Sequence, residues 1–165
     1  MRCYRRTVHL VVPSDDFAAA WREAHAEWGP GFHEDGFGLT ADDDVESAQG
    51  FSDWVERLRV DAECTYRWIV QGERVVGGIA LRHDSHELAD RLGHLGYGVR
   101  PSERGRGVAS WAVREMLRLA ADVGMARVTA VCEVDNAASI ATLERAGGER
   151  VDFIGSAVRF SIPVP

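Results

Sequence analysis

Val99-Arg100-Pro101-Ser102-Glu103-Arg104-Gly105-Arg106-Gly107-Val108-Ala109 decides how this chain reads. It has the pattern of a strand end, a turn and a helix start. The first-turn amides of a helix have no partner within it, and the helix dipole favours an anion there. Gly105 and Gly107 remove side chains where a phosphate would approach the backbone. Arg104 and Arg106 add charge in a fork that suits phosphate oxygens. A plain glycine-rich turn with its arginines in solvent fits the same residues. A Walker A loop does not, because the chain contains no lysine. A dinucleotide fingerprint is also ruled out, since the third glycine and the βαβ context are missing.

Outward from this turn the pattern is that of a mixed α/β domain. Residues 92–100 precede it as a glycine-rich strand, and glycine inside a strand often marks close approach by another backbone or a ligand. Helical spacing of Ala109, Ala112, Met116, Ala120 and Val123 predicts a helix over 107–123, closed by Gly124. Residues 128–134 read as a buried strand, 137–146 as a short helix, and 150–154 and 157–162 as two strands. Upstream, Tyr66–Val70 and Val75–Leu81 form a hairpin around Gln71-Gly72-Glu73. Before it come a strand at 7–12, a helix from Ser14 to about Trp28 that Gly29-Pro30-Gly31 stops, a long Gly- and Asp-rich loop at 29–50, and a helix at 52–62. The predicted order is β-α-α-β-β-β-α-β-α-β-β in a single domain over 1–165, a mixed, mostly antiparallel sheet flanked by helices.

Composition narrows the function. The 165 residues are 45% hydrophobic, with 19 basic and 26 acidic side chains and a net charge of −7. Every basic residue is arginine. A net acidic chain is a poor general binder of phosphate backbones, so no nucleic-acid partner is expected. The charge is uneven: −8 over 1–63, zero over 64–96, +3 over 97–118 and −2 over 119–165. Cys3, Cys64 and Cys132 are odd in number and far apart, which speaks against a disulfide framework and fits a cytoplasmic protein. No apolar run has transmembrane length, and Val8–Val12 is too short for a signal-peptide core, so no membrane partner is expected. The oligomeric state is left open, a homodimer included.

Arg104-x-x-Gly107-x-Ala109 resembles the [Gln/Arg]-x-x-Gly-x-[Gly/Ala] signature of the GNAT superfamily of N-acetyltransferases. Tyr97-Gly98-Val99-Arg100-Pro101 is similar to the strand that precedes that signature, and Asn136-Ala137-Ala138-Ser139-Ile140 with Ala146-Gly147 is similar to a second family motif. The likeness is specific over 92–150 and diffuse before it. It implies the GNAT fold and acetyl-CoA as acetyl donor to a primary amine of a small molecule or peptide. Backbone amides from Arg104 through Gly105, Arg106, Gly107 and Val108 to Ala109 would cradle the pyrophosphate. Tyr97 and Val99 would pair with the pantetheine arm where their strand parts from 128–134, and Asn136 and Ser139 would complete the donor site. Asn136 equally suits a helix N-cap. Residues 92–150 would then be the acetyl-CoA-binding core, and the helices within 1–63 would wall the acceptor. A non-catalytic acyl-CoA-binding module of the same fold is the alternative.

Acetyl transfer needs a base for the amine, a donor for the oxyanion and an acid for the leaving thiolate. The family often places a tyrosine where this chain has Leu143. His94 stands about where relatives carry a glutamate base, and an imidazole suits that task near neutral pH. A packed, hydrogen-bonded histidine is the equal reading. Glu133 can act through water, although an exposed place at the strand end is the stronger reading, and Cys132 can act as an acid or acetyl carrier, although its neighbours favour a small buried residue. Tyr97 offers a hydroxyl of unknown direction. His83-x-x-His86 lacks a third ligand at a convincing spacing, so no metal is expected. Asp42-Asp43-Asp44 and Glu46 read as a solvated loop, or as an acidic rim attracting a cationic amine.

Overall fold

A computed structural model describes residues 7–29 and 36–165; Cys3, Pro30 and Gly31 lie outside them. The strands are β1 (Val8–Val11), β2 (Cys64–Gln71), β3 (Arg74–Arg82), β4 (Leu95–Val99), β5 (Arg127–Glu133), β6 (Glu149–Ile154) and β7 (Ala157–Pro163). They form one seven-stranded sheet in the order β1-β2-β3-β4-β5-β7-β6. Every neighbouring pair is antiparallel except β4 with β5. The helices are α1 (Ala18–Trp28), α2 (Ala48–Val60), α3 (Ala89–Leu92), α4 (Val108–Asp122) and α5 (Ala137–Arg145). The mixed α/β class and mostly antiparallel sheet are as the sequence predicts.

Strand alternation sends side chains to two cores. Ile79, Leu81, Leu95 and Val99 meet Ala112, Val113, Met116 and Ala120 of α4 on one face. Trp68, Val70, Val75 and Ala80 meet Trp21 of α1 and Phe51, Trp54, Val55 and Leu58 of α2 on the other. Trp21, Trp54 and Trp68 are at most 1% exposed, and full burial of such large side chains contributes about 1.5–3 kcal/mol or more apiece. His25 stacks on Trp21 at 4.7 Å, so this helix face is core packing. None of the helices among the described residues is long and apolar enough to cross a membrane.

Three boundaries differ from expectation. α2 begins at Ala48 rather than 52, because Ser47 caps it by accepting the Gly50 N–H at 3.0 Å. Gly50 reads as a loop residue, yet it sits in the first turn, where a Cβ would lie 2.2 Å from the Asp44 carbonyl oxygen. α1 is preceded by a short 3-10 turn over Asp15–Phe17. The stretch read as the start of the 92–100 strand instead closes an unpredicted helical turn, α3, at Gly93, and β4 begins at Leu95.

Candidate functional site

β4 and β5 pair at one register position only, Leu95 with Ala130. Just before it, the Gly93 bridge to Ala130 and the His94 N–H bond to the Thr129 carbonyl hold the strands together. Beyond it they part. Tyr97, Gly98 and Val99 stay in register with Ile79, Gly78 and Gly77 of β3, while β5 does not pair with them. A cavity of about 540 Å³ opens along that edge, bounded by the 103–105 turn, the start of α4 and one face of α5.

Most of the residues expected to hold the donor converge here. Tyr97 and Val99 form the strand wall, Arg104, Gly105 and Gly107 the turn, and Val108 and Ala109 the helix end. The bond from Trp111 N–H to the Gly107 carbonyl opens α4, which leaves the amides of Val108, Ala109 and Ser110 without a partner inside the helix. Gly107 has φ 79°, a left-handed conformation that L side chains rarely adopt. Asn136 Oδ1 accepts the Ser139 N–H at 3.1 Å, so the capping role is present and its amide nitrogen is not used in that bond.

The arginines divide. Arg104 donates its Nε to the Val99 carbonyl at 2.9 Å and lines the cavity. Arg106 is not among the lining residues; it pairs with Glu103 at 3.1 Å. Glu103, 5% exposed, also takes Arg74 at 2.9 Å and so braces the turn. Arg145 lines the cavity and was missed by sequence reasoning. Ala138, Ala141, Thr142 and Arg145 share one face of α5 at helical spacing, a signal available in the sequence.

A second cavity of about 310 Å³ lies where the strands meet and shares Tyr97, Asn136 and Ser139 with the first. Cys132, Glu133, Arg82 and Gly96 line it. Leu143, 1% exposed, is part of its wall and brings no polar group. The Tyr97 side chain crosses toward α5, its hydroxyl 3.5 Å from the Ser139 carbonyl oxygen. Glu133 Oε2 accepts the Ser156 hydroxyl at 2.6 Å. Burial pushes the Cys132 thiol above its ordinary pKa of 9.0; Arg150 works against the shift and Glu133 with it.

His94 lines neither cavity. Its Nδ1 accepts the Thr129 N–H at 2.8 Å, and its Nε2 lies 3.0 Å from Asp84 Oδ1, so the proton belongs on Nε2. The two histidines read against a metal also have partners within the chain. His83 lies 3.0 Å from the Thr65 hydroxyl, and His86 Nδ1 accepts the Leu88 N–H at 3.1 Å. In the acidic loop, Asp43 takes Arg57 and the Thr40 N–H, and Asp44 takes the Glu46 and Ser47 amides. These two carboxylates act as turn and cap acceptors.

A sheet split beside a helix N-terminus puts a strand edge and a row of first-turn amides on one cavity, an arrangement suited to a long ligand with an anionic end. Residues 9–149 match the family model described as Acetyltransferase (GNAT) domain, and the chain belongs to the GNAT acetyltransferase family. Among solved structures, RimJ of Mycobacterium smegmatis in complex with CoA-disulfide superposes with a TM-score of 0.74 at 19% identity, covering 94% of this chain and 81% of that one. The microcin C7 self-immunity acetyltransferase MccE, in complex with acetyl-CoA and AMP, gives 0.68 at 17%, covering 95% and 92%. RimL, a ribosomal L7/L12 alpha-N-protein acetyltransferase bound to coenzyme A through a cysteine disulfide, gives 0.70 at 16%, covering 96% and 94%. At these identities the likeness is one of fold. No curated protein sequence matches the chain.

Proposed function

We propose that the protein is an N-acetyltransferase that moves an acetyl group from acetyl-CoA to a primary amine of a small molecule or peptide by direct attack in a ternary complex. The observation that carries this reading is the parting of β4 from β5 beyond Leu95, which leaves a β4 edge that β5 does not pair with, beside the α4 amides that have no partner inside the helix. A pantetheine arm is itself an amide chain, and it satisfies such an edge as an added strand would. Its pyrophosphate meets the α4 amides and Arg104, and its thioester reaches the strand junction. Residues 92–150 supply the donor site, and the helices of the first 63 residues the acceptor side.

At the junction the amine nitrogen attacks the thioester carbonyl carbon. A C–N bond forms, the C–S bond breaks, and CoA leaves as a thiolate. Glu133 takes the ammonium proton through water, and the Tyr97 hydroxyl supplies the proton that the thiolate gains. Tyr97 thereby fills the task that Leu143 cannot perform.

Thiol release from acetyl-CoA, followed with a disulfide reagent over a pool of amines and short peptides, tests the reading. Release that depends on an acceptor supports it. Tight CoA binding with no release on any acceptor favours a non-catalytic acyl-CoA-binding module, the reading that Leu143 keeps open.

A further inference from the structure

The space above Gly96 is lined by nitrogen. Around the position that a Cβ on Gly96 would occupy, the three nearest atoms from outside its own stretch of chain are Arg82 Nη1 and Nη2, each at 3.5 Å, and the Gly36 backbone nitrogen at 3.8 Å. Among the described residues outside that stretch, no carbon or oxygen comes as close. The site is open toward ligand, because Arg82, Gly96 and Glu133 all line the cavity at the strand junction.

Register fixes which face of the sheet this is. Gly96 lies opposite Ala80, whose side chain belongs to the tryptophan-rich core, while Leu95 and Val99 belong to the α4 core. Gly96 and the guanidinium therefore share the face away from α4. Glu133 shares it too, since Val128 and Ala130 on the same strand turn toward α4. The Arg82 guanidinium donates through Nη1 to the Gly93 carbonyl at 3.2 Å, which fixes its plane. Among the described residues no carboxylate lies within ion-pair distance of it, whereas Arg74, Arg100, Arg106 and Arg118 each have one. A half-buried guanidinium aimed at an open cavity with its remaining N–H groups unspent is suited to a carboxylate.

We infer that Arg82, over Gly96 and beside the Gly36 backbone nitrogen, reads a carboxylate on the acceptor, and that the acceptor amine sits a few bonds from that carboxylate, between the cradle and Glu133. This names the acceptor class for the proposed transfer and rests on that reading. The carboxylate is either the α-carboxylate of a free amino acid or the side chain of an acidic residue at a peptide N-terminus. Arg82 acts on specificity and not on bond making, so its loss belongs in KM.

Two measurements on the full chain test it. The first is turnover with L-amino acids against their carboxamides, and with peptides beginning in Asp or Glu against the same peptides beginning in Asn or Gln. A carboxylate preference of tenfold or more in KM is expected in one arm, and that arm identifies the source. Arg82→Met should erase the preference, raising KM for the carboxylate acceptors tenfold or more and bringing the carboxylate-to-carboxamide ratio close to one. Gly96→Ala should weaken it without unfolding, because its Cβ would meet its neighbours at ordinary contact distances. Equal use of carboxylates and carboxamides, or an equal fall in kcat on both in Arg82→Met, overturns the inference.

The second measurement needs no turnover: N-acetylglycine is titrated into the CoA complex of protein labelled with 15N-glycine. The Gly96 and Gly36 amide signals should shift, and should not shift with N-acetylglycinamide or in Arg82→Met. Silence at both glycines up to millimolar N-acetylglycine overturns the cradle even if no acceptor is ever acetylated. Failure of the transfer reading is instead seen as CoA binding without thiol release.

Discussion

Arg100 Nε donates to Glu27 Oε2 at 2.6 Å, and Glu27 Oε1 accepts the Ser102 N–H at 2.5 Å, so the last turn of α1 is fastened to the turn that bounds the larger cavity. The guanidinium is 4% exposed and also donates to Glu23 and to the Val75 carbonyl. A buried charge is tolerable only when its donors are matched, and here α1 supplies both carboxylates. α1 and the turn that bounds the larger cavity are thus one mechanical unit.

Glu27→Gln keeps the shape of that unit and removes its charge. Burial works against the Glu27 carboxylate, but the Ser102 amide and Arg100 outweigh it and hold its pKa below the ordinary 4.5. Arg100 would be left with Glu23, whose side chain is 61% exposed. The expected cost is about 2–4 kcal/mol at neutral pH. A depressed folded pKa gives stability that is present above the unfolded value and lost as pH falls through the folded one. The gap in urea midpoint between wild type and variant should therefore be full at neutral pH and narrow as pH falls through and below the ordinary carboxylate value of 4.5. A gap that stays constant over that range would show that the Glu27 charge is not what stabilises the junction.

Gly107 separates conformational strain from anion repulsion. Its φ of 79° strains any L residue, and nothing lies within 4 Å of where a Cβ would stand. Gly107→Ala should cost about 1–2 kcal/mol of stability. Gly107→Glu should be no less stable than that, since a carboxylate is favourable at a helix N-terminus. Yet its charge would occupy the place of the pyrophosphate, and CoA affinity should fall about a hundredfold or more by calorimetry, roughly 2.7 kcal/mol. Equal CoA affinity in the Glu and Ala variants would remove the phosphate from this turn.

The stretch from 107 to 146 was legible because its signals are local. Gly107 opens α4, Gly124 follows its end, the β-branched run marks β5 and Asn136 caps α5. The features that escaped depend on partners distant in sequence. Glu27 meets Ser102 across 75 positions, and His94 meets Thr129 across 35. No periodicity encodes such pairs. Nor does the sequence show that Arg82 lies beside Gly96, which follows from the β3–β4 register. The start of α2 escaped for a different reason: Gly50, a helix breaker by propensity, is required there by its contact with Asp44.

His94→Ala tests the imidazole that sequence reasoning offered as a base. In the tautomer described, Nδ1 is committed to the Thr129 amide and Nε2–H to Asp84, which ties the β3–β4 connection to β5. Removing the ring leaves the Thr129 amide without that acceptor, and about 1–3 kcal/mol of stability should be lost. CoA affinity and the shape of the pH–rate profile should survive. A profile that loses one limb in this variant would return His94 to the chemistry.

Tyr97 and Cys132 both line the cavity at the strand junction and both carry a proton that a leaving thiolate there could gain, and their surroundings distinguish them. The Tyr97 hydroxyl stands beside α5, on the side from which Leu143 offers only hydrocarbon. The Cys132 thiol is held protonated by burial and the neighbouring Glu133, so it is neither a ready nucleophile nor a strong acid. Tyr97→Phe should therefore lower kcat about tenfold to a hundredfold, as loss of one general acid does, with CoA affinity within about twofold of wild type. Cys132→Ala should retain most turnover, and iodoacetamide should label Cys132 more slowly than a free thiol at pH 8. If Cys132→Ala abolished transfer while Tyr97→Phe kept it, with an acetylated cysteine trapped by mass spectrometry, the acetyl group would be passing through the sulfur, and direct attack by the amine would be excluded.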